Sequence, residues 1–239
     1  MRDSLRHMIA EFIGTFALVF VGSGAIILTK APDSNIGLLE VALAHGIILS
    51  VMVTATMRIS GHLNPAVTLG FLAARRMGLM LAGLYVVAQL LGAILAGYAL
   101  RGLMPADWFV AAQGGRQFVA LGTSSLQAIG LEVIGTFFLV FVIFATAVDP
   151  KSPAVGGFAI GLTIAADILA FGPITGASMN PARTTGPDVA SGIFEGLYVY
   201  WVGPIIGGIL AALVYEWIFL RRPVEPPAHG EIQPSRAHG

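Results

Sequence analysis

"ISGHLNPAVTLG" runs from Ile59 to Gly70, and "ITGASMNPARTTG" runs from Ile174 to Gly186. The tripeptide Asn-Pro-Ala thus occurs once in each half of the chain, at Asn64, Pro65 and Ala66 and again at Asn180, Pro181 and Ala182. Asn is a strong N-cap, and Pro is favoured at the first helical position, where its missing N–H would have had no partner. Each tripeptide therefore reads as a helix start. The apolar stretches that follow, 64–74 and 181–190, are shorter than the roughly 20 residues needed to cross a bilayer, so they are expected to be re-entrant half-helices. A single copy in a soluble protein would merely cap a surface helix. Two copies, at matching places in a membrane-like chain, need a different explanation.

The chain around them has membrane composition. Of 239 residues, 56% are hydrophobic and 11% are charged, against about 25% charged in ordinary soluble domains. The formal net charge is zero, and no basic face for nucleic acid is present. The absence of cysteine excludes disulfides and thiolate chemistry. The amino terminus begins with basic residues and continues into an apolar run longer than a signal-peptide core, so it reads as a retained first span.

Apolar runs between turn signals predict six spans, near 8–29, 38–58, 79–100, 126–148, 154–171 and 197–220. Arg2, Arg6, Arg58, Arg75, Arg76, Lys151, Arg221, Arg222 and Arg236 fall on one side of this arrangement, and Lys30, Arg101 and Arg116 on the other. The positive-inside rule then places both termini in the cytoplasm. The Pro-rich polar tail over 221–239 is expected to be disordered.

The halves match beyond the tripeptide. "EFIGTF" at Glu11–Phe16 recurs as "EVIGTF" at Glu132–Phe137, and "YVVAQLLGA" from Tyr85 parallels "YWVGPIIGG" from Tyr200. The chain is therefore one channel-like domain built of two repeats, about 5–100 and 126–220. Each repeat holds three spans and one half-helix. Three is odd, so the second copy enters the membrane upside down and the two half-helices come in from opposite faces. Inverted repeats with broken helices place their site near the midplane. Two half-helices meeting there would direct two positive dipole ends at one point, which repels cations, and the amides of Asn64 and Asn180 can donate to a neutral guest.

"SGHLNPAVT", "GASMNPART" and "AEFIGTF" resemble the motifs of the aquaporins, the major intrinsic proteins, over about residues 5 to 220. The resemblance implies an all-α membrane fold: six transmembrane helices plus two re-entrant half-helices in an inverted 3+3 repeat around a narrow pore. It also implies one pore per subunit in a homotetramer within the lipid bilayer. It assigns the outer selectivity filter to Arg183, directly after the second motif, with His45, Ile168 and Ala177. This set looks more like that of the plant tonoplast intrinsic proteins than that of strict water channels. The expected function is passive passage of water and small neutral solutes such as ammonia, urea or hydrogen peroxide, with protons and ions excluded. Thr184 stands where the glycerol-conducting branch has Asp, and Tyr200 and Trp201 fit the water branch; Asp188 does not fit it.

Several polar residues remain to be placed. An unpaired Arg at membrane depth costs at least about 2.5–3.5 kcal/mol on insertion scales, so Arg183 needs a reason to be there. Glu11 and Glu132, at matched places inside spans, read either as acceptors for loop N–H groups ahead of the half-helices or as a proton relay, and loop support is favoured. His62 serves the same loop or faces the cytoplasmic vestibule. Asp167, beside Ile168, reads as a carboxylate with a structural partner or one facing a vestibule, rather than a catalytic group. Gly14, Gly83, Gly92, Gly97, Gly207 and Gly208 mark candidate close helix crossings. No nucleophile–base pair and no metal-ligand cluster stands out, so neither an enzyme nor a cofactor is expected. The alternatives are a glycerol or metalloid facilitator of the same family and, from the inverted repeat with its buried carboxylates, an ion-coupled secondary transporter. A chain with short termini is expected in a plasma (inner) membrane.

Overall fold

In lipid a backbone N–H or C=O finds no water, so an apolar run must satisfy its own hydrogen bonds by coiling. The computed structural model describes residues 2–153 and 155–220, and its order is α1 (Arg2–Leu28), α2 (Leu38–Thr56), α3 (Pro65–Ala73), α4 (Leu79–Leu103), α5 (Ala106–Ala111), α6 (Ser125–Ile143), α7 (Phe158–Thr175), α8 (Pro181–Ser191) and α9 (Val199–Val214). Single π-helical turns over Phe144–Val148 and Tyr215–Leu220 prolong α6 and α9. Six of these helices are long and apolar enough to cross a membrane. α3 and α8 have 9 and 11 residues, hence about 14 and 16 Å at 1.5 Å per residue, so together they match a hydrocarbon core of about 30 Å. The tail over 221–239 lies outside the described residues.

The six spans overlap the apolar runs, with two shifts: the first, expected over 8–29, already begins at Arg2. The fifth is expected over 154–171 but forms over Phe158–Thr175. Gly156 has a left-handed φ of 54° and holds the chain in a turn, so the helix starts at Phe158. Its end runs past Pro173 and stops at Gly176, whose φ of 80° suits a C-cap and whose N–H bonds to the Gly172 carbonyl at 2.7 Å. α5, in the connection between α4 and α6, has no strong sequence signal.

The packing is duplicated. α1 lies on α4 as α6 lies on α9, and α2 crosses α7. The half-helices are exchanged: α3 packs on α9 and α8 packs on α4, so each repeat's half-helix is held by the other's last span. Small residues allow these approaches. A Cβ on Gly46 would sit 2.7 Å from the Gly161 carbonyl, one on Gly97 would sit 2.6 Å from that of Gly186, and one on Gly208 would sit 2.7 Å from that of Ala66. Gly14, Gly92 and Gly207 likewise meet Leu63, Phe12 and Val133. Gly83 meets nothing within 4 Å and marks no crossing. The Arg76–Glu216 ion pair, at 2.6 Å, ties the segment after α3 to the end of α9, so both ends lie on the same face.

Candidate functional site: two facing helix starts and an outer ring

Each Asn-Pro-Ala forms a capped helix start. The Asn64 side-chain oxygen accepts from the Ala66 N–H at 2.8 Å, and that of Asn180 accepts from the N–H groups of Ala182 and Arg183 at 3.0 and 3.2 Å. Their amide nitrogens cross between the repeats: Asn64 Nδ2 donates to the Met179 carbonyl at 2.7 Å, and Asn180 Nδ2 to the Leu63 carbonyl at 2.8 Å. Each NH2 has two hydrogens. One locks the two starts together, and the other remains for a guest.

Leu63 and Met179, the residues just before each Asn, have left-handed φ of 50° and 53°. Non-glycine residues held there cost about 1–3 kcal/mol each and need surrounding support. Two of the buried carboxylates, Glu11 and Glu132, support these positions. Glu11 accepts from the N–H groups of Gly61, His62 and Leu63 at 2.9, 2.8 and 2.7 Å, from Gln89 Nε2 at 2.6 Å and from the Ser60 hydroxyl. Glu132 accepts from the N–H groups of Ser178 and Met179 at 2.9 and 2.7 Å and from the Thr175 hydroxyl at 2.8 Å. Tyr200 adds a bond from its hydroxyl to the Thr175 carbonyl at 2.8 Å.

Two adjoining cavities lie beside these starts. Val53, Gly61, His62, Ile143 and Ile160 border both a cavity of about 280 Å³, which reaches Arg76 and Tyr85, and a constriction of about 10 Å³. The constriction is walled by Leu18, Leu49, Val67, Leu139 and Ile164, with Asn64, Asn180 and Arg183 as polar points. Its volume is the scale of one water at a time. His62 lines both cavities and also holds the loop, through a 3.1 Å contact between Nδ1 and the Thr68 hydroxyl.

Arg183, which also borders the constriction, is 1% exposed. It donates to the carbonyls of Ala177, Ser178 and Gly176 at 2.6, 3.1 and 3.4 Å, and no carboxylate forms an ion pair with it among the described residues. Its Nε has no hydrogen-bond partner there. Ala177 belongs to the same connected apolar core as Ile168, which is 2% exposed. His45, fully buried on α2, places Nδ1 2.8 Å from the Val41 carbonyl, so Nδ1 carries the proton and Nε2 is left as an unpaired acceptor. Its ring rests on Gly22 of α1, where any side chain would overlap it, and it lies within electrostatic reach of Arg183.

Other members of this arrangement carry little sequence signal. Gln89 bridges Glu11 and Thr68; sequence reasoning missed it, and a lone amide in mid-span is the signal that could have found it. Asp188 pairs with Arg116 at 2.8 Å, both side chains almost fully buried. Asp167 is 6% exposed, and its Oδ2 has no hydrogen-bond partner among the described residues.

A family model for the major intrinsic proteins matches residues 1–215. Probable aquaporin TIP3-2 of Arabidopsis thaliana is 43% identical over 253 residues, covering 97% of this chain and 90% of that protein. Aquaporin TIP4-4 of Zea mays is 44% identical over 225 residues, covering 90% and 87%. Among solved structures, the aquaglyceroporin from Plasmodium falciparum superposes with a TM-score of 0.78 at 26% identity, over 90% of this chain and 96% of that one.

Proposed function

We propose, from the premise that this chain belongs to the major intrinsic protein family, that its passage is filtered at His45, Ile168, Ala177 and Arg183 and excludes protons at Asn64 and Asn180. The protein is a multi-pass membrane channel for water and small solutes, not an enzyme. The observation that carries the filtering and exclusion mechanism is the reciprocal bonding of Asn64 to Met179 and of Asn180 to Leu63 beside an apolar constriction. Apolar walls offer a water few partners. At the midplane its oxygen accepts from the two remaining amide hydrogens, which turns its own hydrogens outward toward both exits and interrupts proton transfer along the file. Each half-helix start also carries roughly half a positive charge, so a cation there is opposed in a low-dielectric setting.

At the outer ring, Arg183 supplies fixed positive charge and donors, while His45 Nε2 supplies an acceptor. That pairing of acceptor and donor suits ammonia, urea and hydrogen peroxide as well as water. Thr184 speaks against the glycerol branch, and the buried Arg116–Asp188 pair gives Asp188 a structural use that does not depend on glycerol. Stopped-flow permeabilities for water, ammonia, urea, peroxide and glycerol in one preparation of liposomes test this ranking. Glycerol is expected last, and glycerol flux above that of urea would favour a glycerol facilitator. His45→Phe is expected to lower the ammonia-to-water ratio about tenfold, the effect of losing one hydrogen-bond partner worth about 1.4 kcal/mol. An unchanged ratio would remove His45 from the filter.

Both termini are assigned to the cytoplasm on the Lys and Arg distribution, and each subunit carries its own pore in a homotetramer. The membrane is the point where two readings part. The expectation of a plasma (inner) membrane gives way here, because similarity to aquaporins of the tonoplast intrinsic type points to the vacuolar membrane instead.

A further inference from the structure

We propose that Asp167 is a specificity-determining residue of the passage: its carboxyl is an acceptor station, just inside the outer ring, for small neutral solutes rich in N–H donors, urea above all. The proposal rests on the reading of the constriction and the outer ring as one passage. Ile160 and Ile164 of α7 wall the constriction. Asp167 follows them at i+7 and i+3, so the three share one helix face, and the next residue is Ile168 of the outer ring. One turn further along, the Phe171 ring packs on α6, where a Cβ on Gly135 would come within 2.4 Å of it. Asp167 therefore stands at the α6 edge of the face that α7 turns to the passage, at a depth between Ile164 and Ile168.

No protein group answers this carboxyl. Asp167 is 6% exposed, its side chain forms no ion pair among the described residues, and its Oδ2 is buried without a hydrogen-bond partner there. The spans packed on α7 are α2 and α6, and neither offers a donor. His45 of α2 gives its Nδ1 proton to the Val41 carbonyl and keeps only an acceptor at Nε2. Glu132 of α6 lies within electrostatic reach of Asp167 but takes its own donors from Thr175, Ser178 and Met179. The Arg183 Nη donors go to the carbonyls of Gly176, Ala177 and Ser178. A buried polar group without a partner lowers stability, and an apolar side chain in its place would not. Residues that break a local rule in this way mark function, and an ionisable group at membrane depth marks it most strongly. The missing partner is then a molecule in the passage. An ionised carboxyl only accepts, as His45 Nε2 does, so both reward a guest by its donors, and urea carries twice as many as water.

The test is made with the full chain and reads two quantities: the urea-to-water permeability ratio in liposomes and the melting temperature in detergent. Asp167→Leu removes both acceptor oxygens. It is expected to lower the ratio roughly three- to tenfold, the scale of one hydrogen bond, while melting at or above the parent temperature. Asp167→Asn keeps one acceptor oxygen in the same shape and should stay within about twofold of the parent ratio. A ratio within about twofold of the parent for Asp167→Leu overturns the proposal, as does a ratio for Asp167→Asn as low as that for Asp167→Leu. Melting below the parent in both Asp167→Leu and Asp167→Ala would mean that the protein itself holds the carboxyl, which also overturns it. Arg183→Lys separates these failures from failure of the passage: a changed ratio there with none at Asp167 removes only the acceptor station, and no change at either residue removes the reading of the outer ring as well.

Discussion

Glu132→Ala is expected to yield a protein that melts far below its parent or cannot be extracted intact. The carboxylate satisfies two backbone N–H groups and one hydroxyl, all buried. Each donor left without a partner costs about 1–3 kcal/mol, so the loss is about 3–9 kcal/mol, against a total stability of about 5–15 kcal/mol for a typical domain. The left-handed Met179 would lose its hold at the same time. Glu132→Gln keeps one oxygen but turns an NH2 toward groups that themselves donate, and is expected to fall between the two. Melting of detergent-solubilised protein, followed by size-exclusion chromatography, reads the difference. A proton relay would give the opposite pattern, with Glu132→Gln as stable as the parent but deficient in transport. Glu11→Ala should resemble Glu132→Ala, because Glu11 accepts from three loop N–H groups and from Gln89.

Arg183→Ala should leave the fold in place and change what crosses. The side chain is buried and holds three carbonyl oxygens with its donors. Its removal widens the outer ring, withdraws the fixed positive charge and leaves those carbonyls facing the opening. A unit charge acts on another by about 4 kcal/mol at 4 Å and about 2 kcal/mol at 8 Å when the effective dielectric is near 20. Proton leak through the variant is therefore expected to rise by about one and a half to three orders of magnitude, with urea admitted more readily relative to water. Arg183→Lys keeps the charge without the planar fork. It should retain most of the proton exclusion while still admitting more urea, which separates charge from aperture. Identical solute and proton profiles for Arg183→Ala and parent would deny Arg183 a place in the filter.

The symmetric parts of the molecule were legible in the sequence because duplication writes them twice. Asn-Pro-Ala, the matched Glu11 and Glu132, and the paired Tyr85 and Tyr200 stretches led to six spans and two half-helices, and all-helical architecture of that form is present. The asymmetric parts were not legible. Asp188 meets Arg116 across 72 residues of chain, and Gln117 meets Thr184 across 67; no local pattern encodes either pairing, because each depends on how an irregular connection lies on α8. Gln89 has Pro204 at its place in the other repeat, so comparison of the halves hides it. The fifth span moved because a glycine turn outweighed the apolar run that precedes it. Glycine alone does not reveal a crossing: Gly92 and Gly97 touch neighbouring backbone, while Gly83 on the same helix faces open space.

The facing amides of Asn64 and Asn180 require that water pass this chain while protons do not. Water and proton flux measured on the same proteoliposomes test it most directly, with shrinkage after an osmotic step read by light scattering and an imposed pH gradient read by an internal dye. Shrinkage well above that of empty vesicles, with the gradient decaying no faster than in empty vesicles, is the predicted result. Shrinkage equal to that of empty vesicles, or a pH gradient that collapses as water flows, would contradict it.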